Sequence, residues 1–82
     1  MEAQAVLELL KVLLKASAAE HKVAPKMIAT SDDLERLAVE PEPDIHALTG
    51  WRRDLFGKRA LDLKAGRVAL RVNNGAIETV EV

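Results

Sequence analysis

The sequence of 82 residues has no cysteine and no tyrosine, and its only aromatic residues are one tryptophan and one phenylalanine. Without cysteine the chain can form neither a disulfide framework nor a thiolate nucleophile or zinc–thiolate site. The leucine-rich stretch at residues 6–15 is interrupted by Glu8, Lys11 and Lys15, which excludes a signal-peptide core or a membrane span. A chain of this length fits one modest core and is too short for most complete enzymes. We therefore expect a single cytoplasmic domain over residues 1–82 without a membrane partner.

The sequence also lacks the residue patterns of common catalytic sites. It contains no Ser-His-Asp set, phosphate-binding loop or dinucleotide fingerprint. His21 and His46 have no metal-ligand or triad spacing, so we interpret both as surface or helix-end residues. The residues therefore predict no catalytic side chain.

A long first helix is predicted over residues 3–22. At about 100° per residue its polar side chains fall within one narrow sector, and apolar residues surround the rest. This polar sector consists of Gln4, Glu8, Lys11, Lys15 and Lys22. Such a helix is either the central helix of a small bundle or a helix that presents a second apolar face to another domain or subunit.

A short helical turn and an acid-rich helix follow. Pro25 suits the first helical position, and we expect Met27 and Ile28 to insert into the core. Thr30 or Ser31 is expected to cap the next helix. Three acids in its first turn are explained by the favourable dipole at a helix start rather than by a metal site. They are Asp32, Asp33 and Glu35.

Prolines and glycines delimit the later helices. The Pro-Glu-Pro sequence at 41–43 stops the acid-rich helix, and Asp44 is expected to cap a short apolar helix. Gly50 ends that helix. A further helix is predicted over residues 51–65, ended by Gly66.

After Gly66 apolar residues recur at every second position, a pattern that favours a β-hairpin. The apolar face of the first strand must lie on the helices, because an isolated hairpin is marginal in water. This face consists of Val68, Leu70 and Val72. If residues 74–75 form a two-residue turn, Arg71 lies opposite Glu78, whereas a three-residue turn would shift the register.

Charge is strongly segregated along the chain although the net charge is only −1. Residues 31–50 carry six acids and one base, and residues 51–71 carry seven bases and two acids, which gives local balances of −5 and +5. The two segments could pair with each other, or the basic segment could bind phosphates. For phosphate binding we assign all seven bases: Arg52, Arg53, Lys58, Arg59, Lys64, Arg67 and Arg71.

The two aromatic residues lie within this basic segment. Trp51 and Phe56 could stack on unpaired nucleic-acid bases, an interaction that tolerates any base. Because they are the only aromatic residues and both lie near a helix start, core packing is the preferred interpretation. Base stacking by Trp51 stays as the alternative.

Two motifs carry a family resemblance. The segment Thr-Gly-Trp-Arg-Arg-Asp-Leu-Phe-Gly at 49–57, preceded by Val-Ala-Pro-Lys-Met-Ile-Ala-Thr-Ser-Asp-Asp-Leu-Glu-Arg-Leu at 23–37, resembles the carboxy-terminal region of bacterial ribonuclease D. The resemblance extends over nearly the whole chain. In that family this region is similar to the helicase-and-RNase-D carboxy-terminal (HRDC) domain, a helical bundle regarded as an accessory nucleic-acid-binding module. It implies a mainly α fold, with four to five helices over 3–66 and a hairpin extension over 67–82.

The resemblance also implies a function for a longer protein. Ribonuclease D enzymes hydrolyse RNA from its 3′ end, using four carboxylates and two divalent metals in an amino-terminal exonuclease domain. Nothing in this chain matches those motifs, so we expect no catalytic residue, metal or cofactor here and a divalent metal in the parent catalytic domain. The expected partners are RNA, such as tRNA precursors during 3′-end processing, and that catalytic domain. The alternative is a protein-docking or oligomerisation module that uses the apolar first helix.

Overall fold

The structure, a computed structural model, describes the backbone of residues 2–82 and the side chains of residues 3–82. Met1, which belongs to the expected domain, lies outside the described residues. The helices are α1 (Glu2–His21), α2 (Pro25–Ile28), α3 (Ser31–Val39), α4 (Gly50–Arg52) and α5 (Lys58–Lys64). A 3-10 turn, His46–Leu48, precedes α4, and a π-helical segment, Arg53–Gly57, joins α4 to α5. Strands β1 (Val68–Asn73) and β2 (Ala76–Glu81) pair antiparallel. The expected mainly helical fold with a carboxy-terminal hairpin is confirmed.

Helix α1 is the central element of the core. Its buried residues recur at helical spacing and form one continuous stripe: Leu10, Leu13, Leu14, Ser17 and Ala18. This stripe contacts α2, α3, the π-helical segment and the hairpin. The apolar residues Leu9 and Val12 are nevertheless exposed. The helix is therefore central and also keeps part of a second apolar face open.

Helix α3 begins with a capping box at Thr30. The Thr30 Oγ1 accepts a hydrogen bond from the Asp33 backbone N–H at 3.1 Å, and the Asp33 carboxylate accepts one from the Thr30 N–H at 3.0 Å. Asp32 lies in the same first turn. Asp32 and Asp33 are confirmed as helix-start residues, whereas Glu35 lies beyond the first turn, and Thr30 rather than Ser31 is the cap.

Two local predictions are wrong. Asp44 does not cap the following segment, because that segment is only a single 3-10 turn held by backbone bonds from Leu48 to Ile45 and from Thr49 to His46. Met27 is 56% exposed and does not enter the core, although Ile28 is buried as expected. The α2 helix has only one turn, so only one of the two neighbours can face inward.

The helix predicted over residues 51–65 is present but contains a π-helical segment that sequence reasoning did not predict. Its residues carry the buried ring of Phe56, which confirms the core interpretation for that residue. Next to it, a Cβ on Gly57 would lie 2.2 Å from the Ala47 carbonyl oxygen and 3.0 Å from Leu48 Cδ2. The helix and the 3-10 turn can therefore approach this closely only because residue 57 has no side chain.

The hairpin has the register expected from a two-residue turn. Arg71 pairs with Glu78 across the strands, and Asn74 and Gly75 both have positive φ, of 54° and 80°. Leu70 packs against the core cluster. Val72, expected on the same buried face, is 70% exposed because residues 71–76 form the exposed tip of the hairpin.

Candidate nucleic-acid interface

Trp51 lies at the surface, at the start of the helix that follows Gly50. Its side chain is 44% exposed, so the preferred interpretation of Trp51 as a core residue is wrong. The Arg52 guanidinium carbon lies 4.5 Å from the centre of the indole ring, within the range of a cation–π interaction. Arg52 Nε also donates a hydrogen bond of 2.8 Å to the Met27 carbonyl oxygen. The guanidinium thus joins the indole to α2.

The two arginines that follow Trp51 bind backbone carbonyls rather than carboxylates. Arg53 Nη1 donates a hydrogen bond of 3.3 Å to the Leu48 carbonyl oxygen at the end of the 3-10 turn. Lys58 is exposed and lies seven positions after Trp51 in the chain. Among residues 3–82 no carboxylate forms an ion pair with Arg52, Arg53 or Lys58, which we call the proximal bases. Their charge is not engaged in a direct ion pair, although Asp54 lies between them in the chain.

The remaining bases of the expected patch are engaged in structural contacts, and we call them the distal bases: Arg59, Lys64, Arg67 and Arg71. Arg59 forms an ion pair of 3.2 Å with Glu20 near the end of α1. Lys64 Nζ donates to the carbonyl oxygens of Glu40 at 2.5 Å and Pro41 at 3.2 Å. Partial burial lowers the pKa of Lys64, and the nearby Glu40 carboxylate opposes this change. Lys64 therefore provides hydrogen bonds to the two backbone carbonyls that follow the end of α3.

The last two distal bases pair with carboxylates. Arg67 forms an ion pair of 3.1 Å with Asp62 at the end of α5. Arg71 pairs with Glu78 across the hairpin. The hydrogen bonds from Arg71 and then Asn73 hold the pKa of Glu78 below its usual value of 4.5. Both pairs reduce the charge that these bases present to a ligand.

The acidic segment does not neutralise the basic segment through ion pairs. Arg36, the single base of the acidic segment, pairs with Glu40 at 2.9 Å. This hydrogen bond lowers the pKa of Glu40 below its usual value. Among the side chains described, no acid of residues 31–50 forms an ion pair with a base of residues 51–71. The two segments meet instead through backbone carbonyls at Leu48, Glu40 and Pro41.

The described residues offer no obvious metal centre. Within residues 3–82 no three side chains of His, Asp or Glu gather as they would around a metal ion. His21 and His46 are both exposed, at the end of α1 and the start of the 3-10 turn, as expected. Within residues 2–82, no helix combines the length and the apolar character needed to cross a bilayer.

A second surface feature is a groove that Arg59 helps to line. This groove of about 860 Å³ runs between α1 and the hairpin. Its apolar lining includes Val12, Ala16, Leu70 and Ile77. The exposed apolar face of α1 predicted from the sequence therefore continues into the hairpin, a juxtaposition that only the tertiary structure creates.

Sequence reasoning missed the role of α2 at the interface. Lys26 and Met27 are exposed, and the Met27 carbonyl anchors Arg52 from 25 positions earlier in the chain. No local pattern signals a contact over this separation. The sequence offered only an indirect signal: the helix after Pro25 is short, and a single turn leaves its last carbonyls without helical partners.

Comparison with known proteins gives consistent matches to one kind of enzyme. The chain is 55% identical to ribonuclease D of Granulibacter bethesdensis over 93% of its length, 53% identical to that of Gluconacetobacter diazotrophicus over 93%, and 53% identical to that of Nitrobacter hamburgensis over 94%. It covers only 19–20% of these relatives. No family model and no solved structure matches the chain.

The expected resemblance is thus confirmed at the level of sequence. Eight ribonuclease D proteins match, with identities from 43% to 55%. Each match involves most of this chain and about a fifth of the relative. Nearly all of this chain therefore corresponds to one segment of bacterial ribonuclease D.

Proposed function

We propose that this chain is a non-catalytic, HRDC-like RNA-binding domain of a ribonuclease D type 3′-to-5′ exoribonuclease. In this proposal it lies at the carboxy-terminal side of the catalytic domain, which binds the divalent metals. It helps to hold tRNA precursors during 3′-end processing in the cytoplasm. The observation that carries the proposal is the group of proximal bases, none of which forms an ion pair with a described carboxylate, on the same helix as an exposed indole.

The proximal bases are the main contact in this proposal because they have no ion-pair partner to lose. Phosphate binding releases counterions, and an arginine or lysine already paired with a carboxylate must lose that partner first. Arg52 and Arg53 each use an N–H to bind a backbone carbonyl, which fixes their position without cancelling their charge. The other N–H groups of the guanidinium are available for phosphate oxygens.

Titration of the isolated chain with tRNA at several salt concentrations tests the proposal. Each neutralised phosphate should contribute about 0.7 to 0.9 to the slope of log affinity against log salt. Three proximal bases predict a slope of about −2 to −3. Absence of binding at low salt, or tight binding that does not respond to salt, would contradict it.

A matched pair of lysine variants locates the contact. Lys58→Gln removes a proximal charge, whereas Lys11→Gln removes an exposed charge on α1 that lies 3.6 Å from Glu8. We expect Lys58→Gln to reduce the slope by about 1 and Lys11→Gln to leave it unchanged. Equal effects would point to diffuse attraction rather than this interface.

Incubation of the wild-type chain with tRNA and magnesium should yield no shortened product.

A second candidate function is protein docking, which the groove between α1 and the hairpin favours. The exposed residues Leu9 and Val12 are the appropriate test positions, because the neighbouring Leu10 and Leu14 are buried and their exchange would disturb folding. Sedimentation over a range of concentrations, with and without the parent catalytic domain, measures assembly. Assembly that Val12→Glu abolishes, together with no tRNA binding, would favour docking.

A further inference from the structure

The indole of Trp51 is both exposed and held in place. The Arg52 guanidinium lies against one face of the ring, with its central carbon 4.5 Å from the ring centre. The residue is nevertheless 44% exposed, so part of its surface is accessible to a ligand. An exposed aromatic ring with one face already occupied offers its other face to a planar ligand.

The arginine that covers the ring is itself anchored. Its Nε donates a 2.8 Å hydrogen bond to the Met27 carbonyl at the end of α2, an element 25 positions earlier in the chain. The indole, the guanidinium and α2 therefore form one supported unit. Because these side chains are already ordered before a ligand binds, less conformational entropy is lost on binding.

We propose that Trp51 stacks on one unpaired nucleobase, with Arg52 supporting the indole from its opposite face. The inference rests on the proposed function and specifies its ligand as single-stranded rather than duplex RNA. Bases within a duplex are stacked on both sides and cannot reach a surface indole, whereas an unpaired base can. Stacking tolerates every base, which suits a domain that binds RNA ends of varied sequence.

The neighbouring charges fit the same ligand. Arg53 and Lys58 follow Trp51 on the same helix, and neither forms an ion pair with a carboxylate of residues 3–82. Phosphates flanking a stacked base could bind these two side chains. The combination of an aromatic surface and nearby cations is typical of sites that bind single strands.

The chain contains only one tryptophan, so its fluorescence reports directly on this site. We would titrate the chain with an oligoadenylate of about ten nucleotides, an abasic oligomer with the same number of phosphates, and a blunt RNA duplex. Anisotropy of a label on each RNA measures binding, and tryptophan emission measures stacking. The oligoadenylate alone should quench the emission, over the same concentration range as its binding.

The possible outcomes separate this inference from the proposed function. Salt-dependent binding of the oligoadenylate without quenching would overturn stacking and leave RNA binding intact. No binding of any RNA would overturn both. Quenching by the parent catalytic domain, with none by the three RNAs, would overturn the inference in favour of a protein contact.

Variants provide a second measurement. Trp51→Ala should weaken oligoadenylate binding about tenfold and abasic binding by less than about twofold, because only stacking is lost. Trp51→Phe, which keeps an aromatic face, should lose no more than about threefold. Val39→Ala removes another exposed apolar side chain, at the end of α3, and should have no effect. Equal losses of oligoadenylate and abasic binding in Trp51→Ala would overturn the inference.

Arg52→Lys tests the support of the ring. Lysine keeps the charge but lacks the planar group that both covers the indole and binds the Met27 carbonyl. The salt dependence of binding should stay unchanged while the quenching amplitude falls. An unchanged amplitude would contradict the role of Arg52. Circular dichroism and thermal unfolding establish that each variant is folded.

Discussion

The proximal and distal bases belong to one run of positive charge in the sequence but differ in their surroundings. Each distal base has a carboxylate partner or, for Lys64, donates to two backbone carbonyls. The proximal bases have no carboxylate partner among residues 3–82 and lie beside an exposed indole. A count of charges along a segment therefore overestimates the charge available to a ligand, because folding pairs some of the bases with carboxylates.

The largest expected effect concerns Gly57, which lies between the proximal bases Arg53 and Lys58. Gly57→Ala would place a methyl group 2.2 Å from the Ala47 carbonyl oxygen, so the helix or the 3-10 turn must move. We expect the free energy of unfolding to fall by about 3 kcal/mol, the upper end for overpacking. Urea unfolding measures the change.

Gly75→Ala is the control for this prediction. Gly57 has a helical φ of −57°, whereas Gly75 has a positive φ of 80° and a Cβ there would meet no atom within 4 Å. Gly75→Ala should lose only about 1 kcal/mol, from backbone strain alone. If Gly57→Ala were no more destabilising than Gly75→Ala, the close approach of the helix to the turn would not be a constraint.

The next effect separates the two groups of bases directly. The double variant Arg52→Ala/Arg53→Ala should weaken tRNA binding at least about tenfold and reduce the salt slope by about 1.5. Arg67→Ala/Arg71→Ala should weaken it by less than about threefold, since both arginines have ion-pair partners. Equal losses from the two double variants would refute the distinction between proximal and distal bases.

Lys64 provides a test in which stability and binding diverge. Lys64→Met removes the bonds to the Glu40 and Pro41 carbonyls and should cost about 1 kcal/mol of unfolding free energy, with little change in tRNA affinity. Lys58→Met, at an exposed position, should show the opposite pattern. Thermal unfolding and tRNA titration of both variants check this. A larger affinity loss in Lys64→Met than in Lys58→Met would contradict it.

The smallest effect is a pH dependence at the hairpin. The bond from Arg71 lowers the pKa of Glu78 below 4.5, so their interaction stabilises the fold fully above that pH. The contribution is lost as pH falls through the lowered pKa of the folded state. Glu78→Gln should therefore show a smaller loss of melting temperature on acidification than the wild type, and Arg71→Gln should behave similarly. Parallel pH curves for all three proteins would exclude this contribution.

Features that depend on neighbouring residues were predictable from the sequence. The capping box at Thr30, the end of the last helix at Gly66 and the Asn74-Gly75 turn each depend on residues within a few positions of one another. The hairpin register stayed open between a two-residue and a three-residue turn, because the length of the turn sets which residues lie opposite, and the structure has the two-residue form. The family resemblance was likewise carried by local motifs and is supported by the matches to ribonuclease D.

Features that depend on distant residues were not predictable in the same way. Arg52, next to the exposed Trp51, binds a carbonyl of α2, and Gly57 in the π-helical segment lies close to Ala47 in the 3-10 turn. The burial of Phe56 and the exposure of Trp51 could not be distinguished by hydrophobicity, since both residues are large and aromatic. Only their positions on the helix separate them.

The sequence by itself determined the order of helices and hairpin, the start of α3, the place of the hairpin turn and the presence of a basic segment, because short-range geometry and composition control these properties. The tertiary structure alone decided which bases remain without carboxylate partners, which aromatic ring faces solvent and where a groove opens. These properties arise when segments far apart in the chain are packed together, and packing satisfies some charges and carbonyls while leaving others exposed.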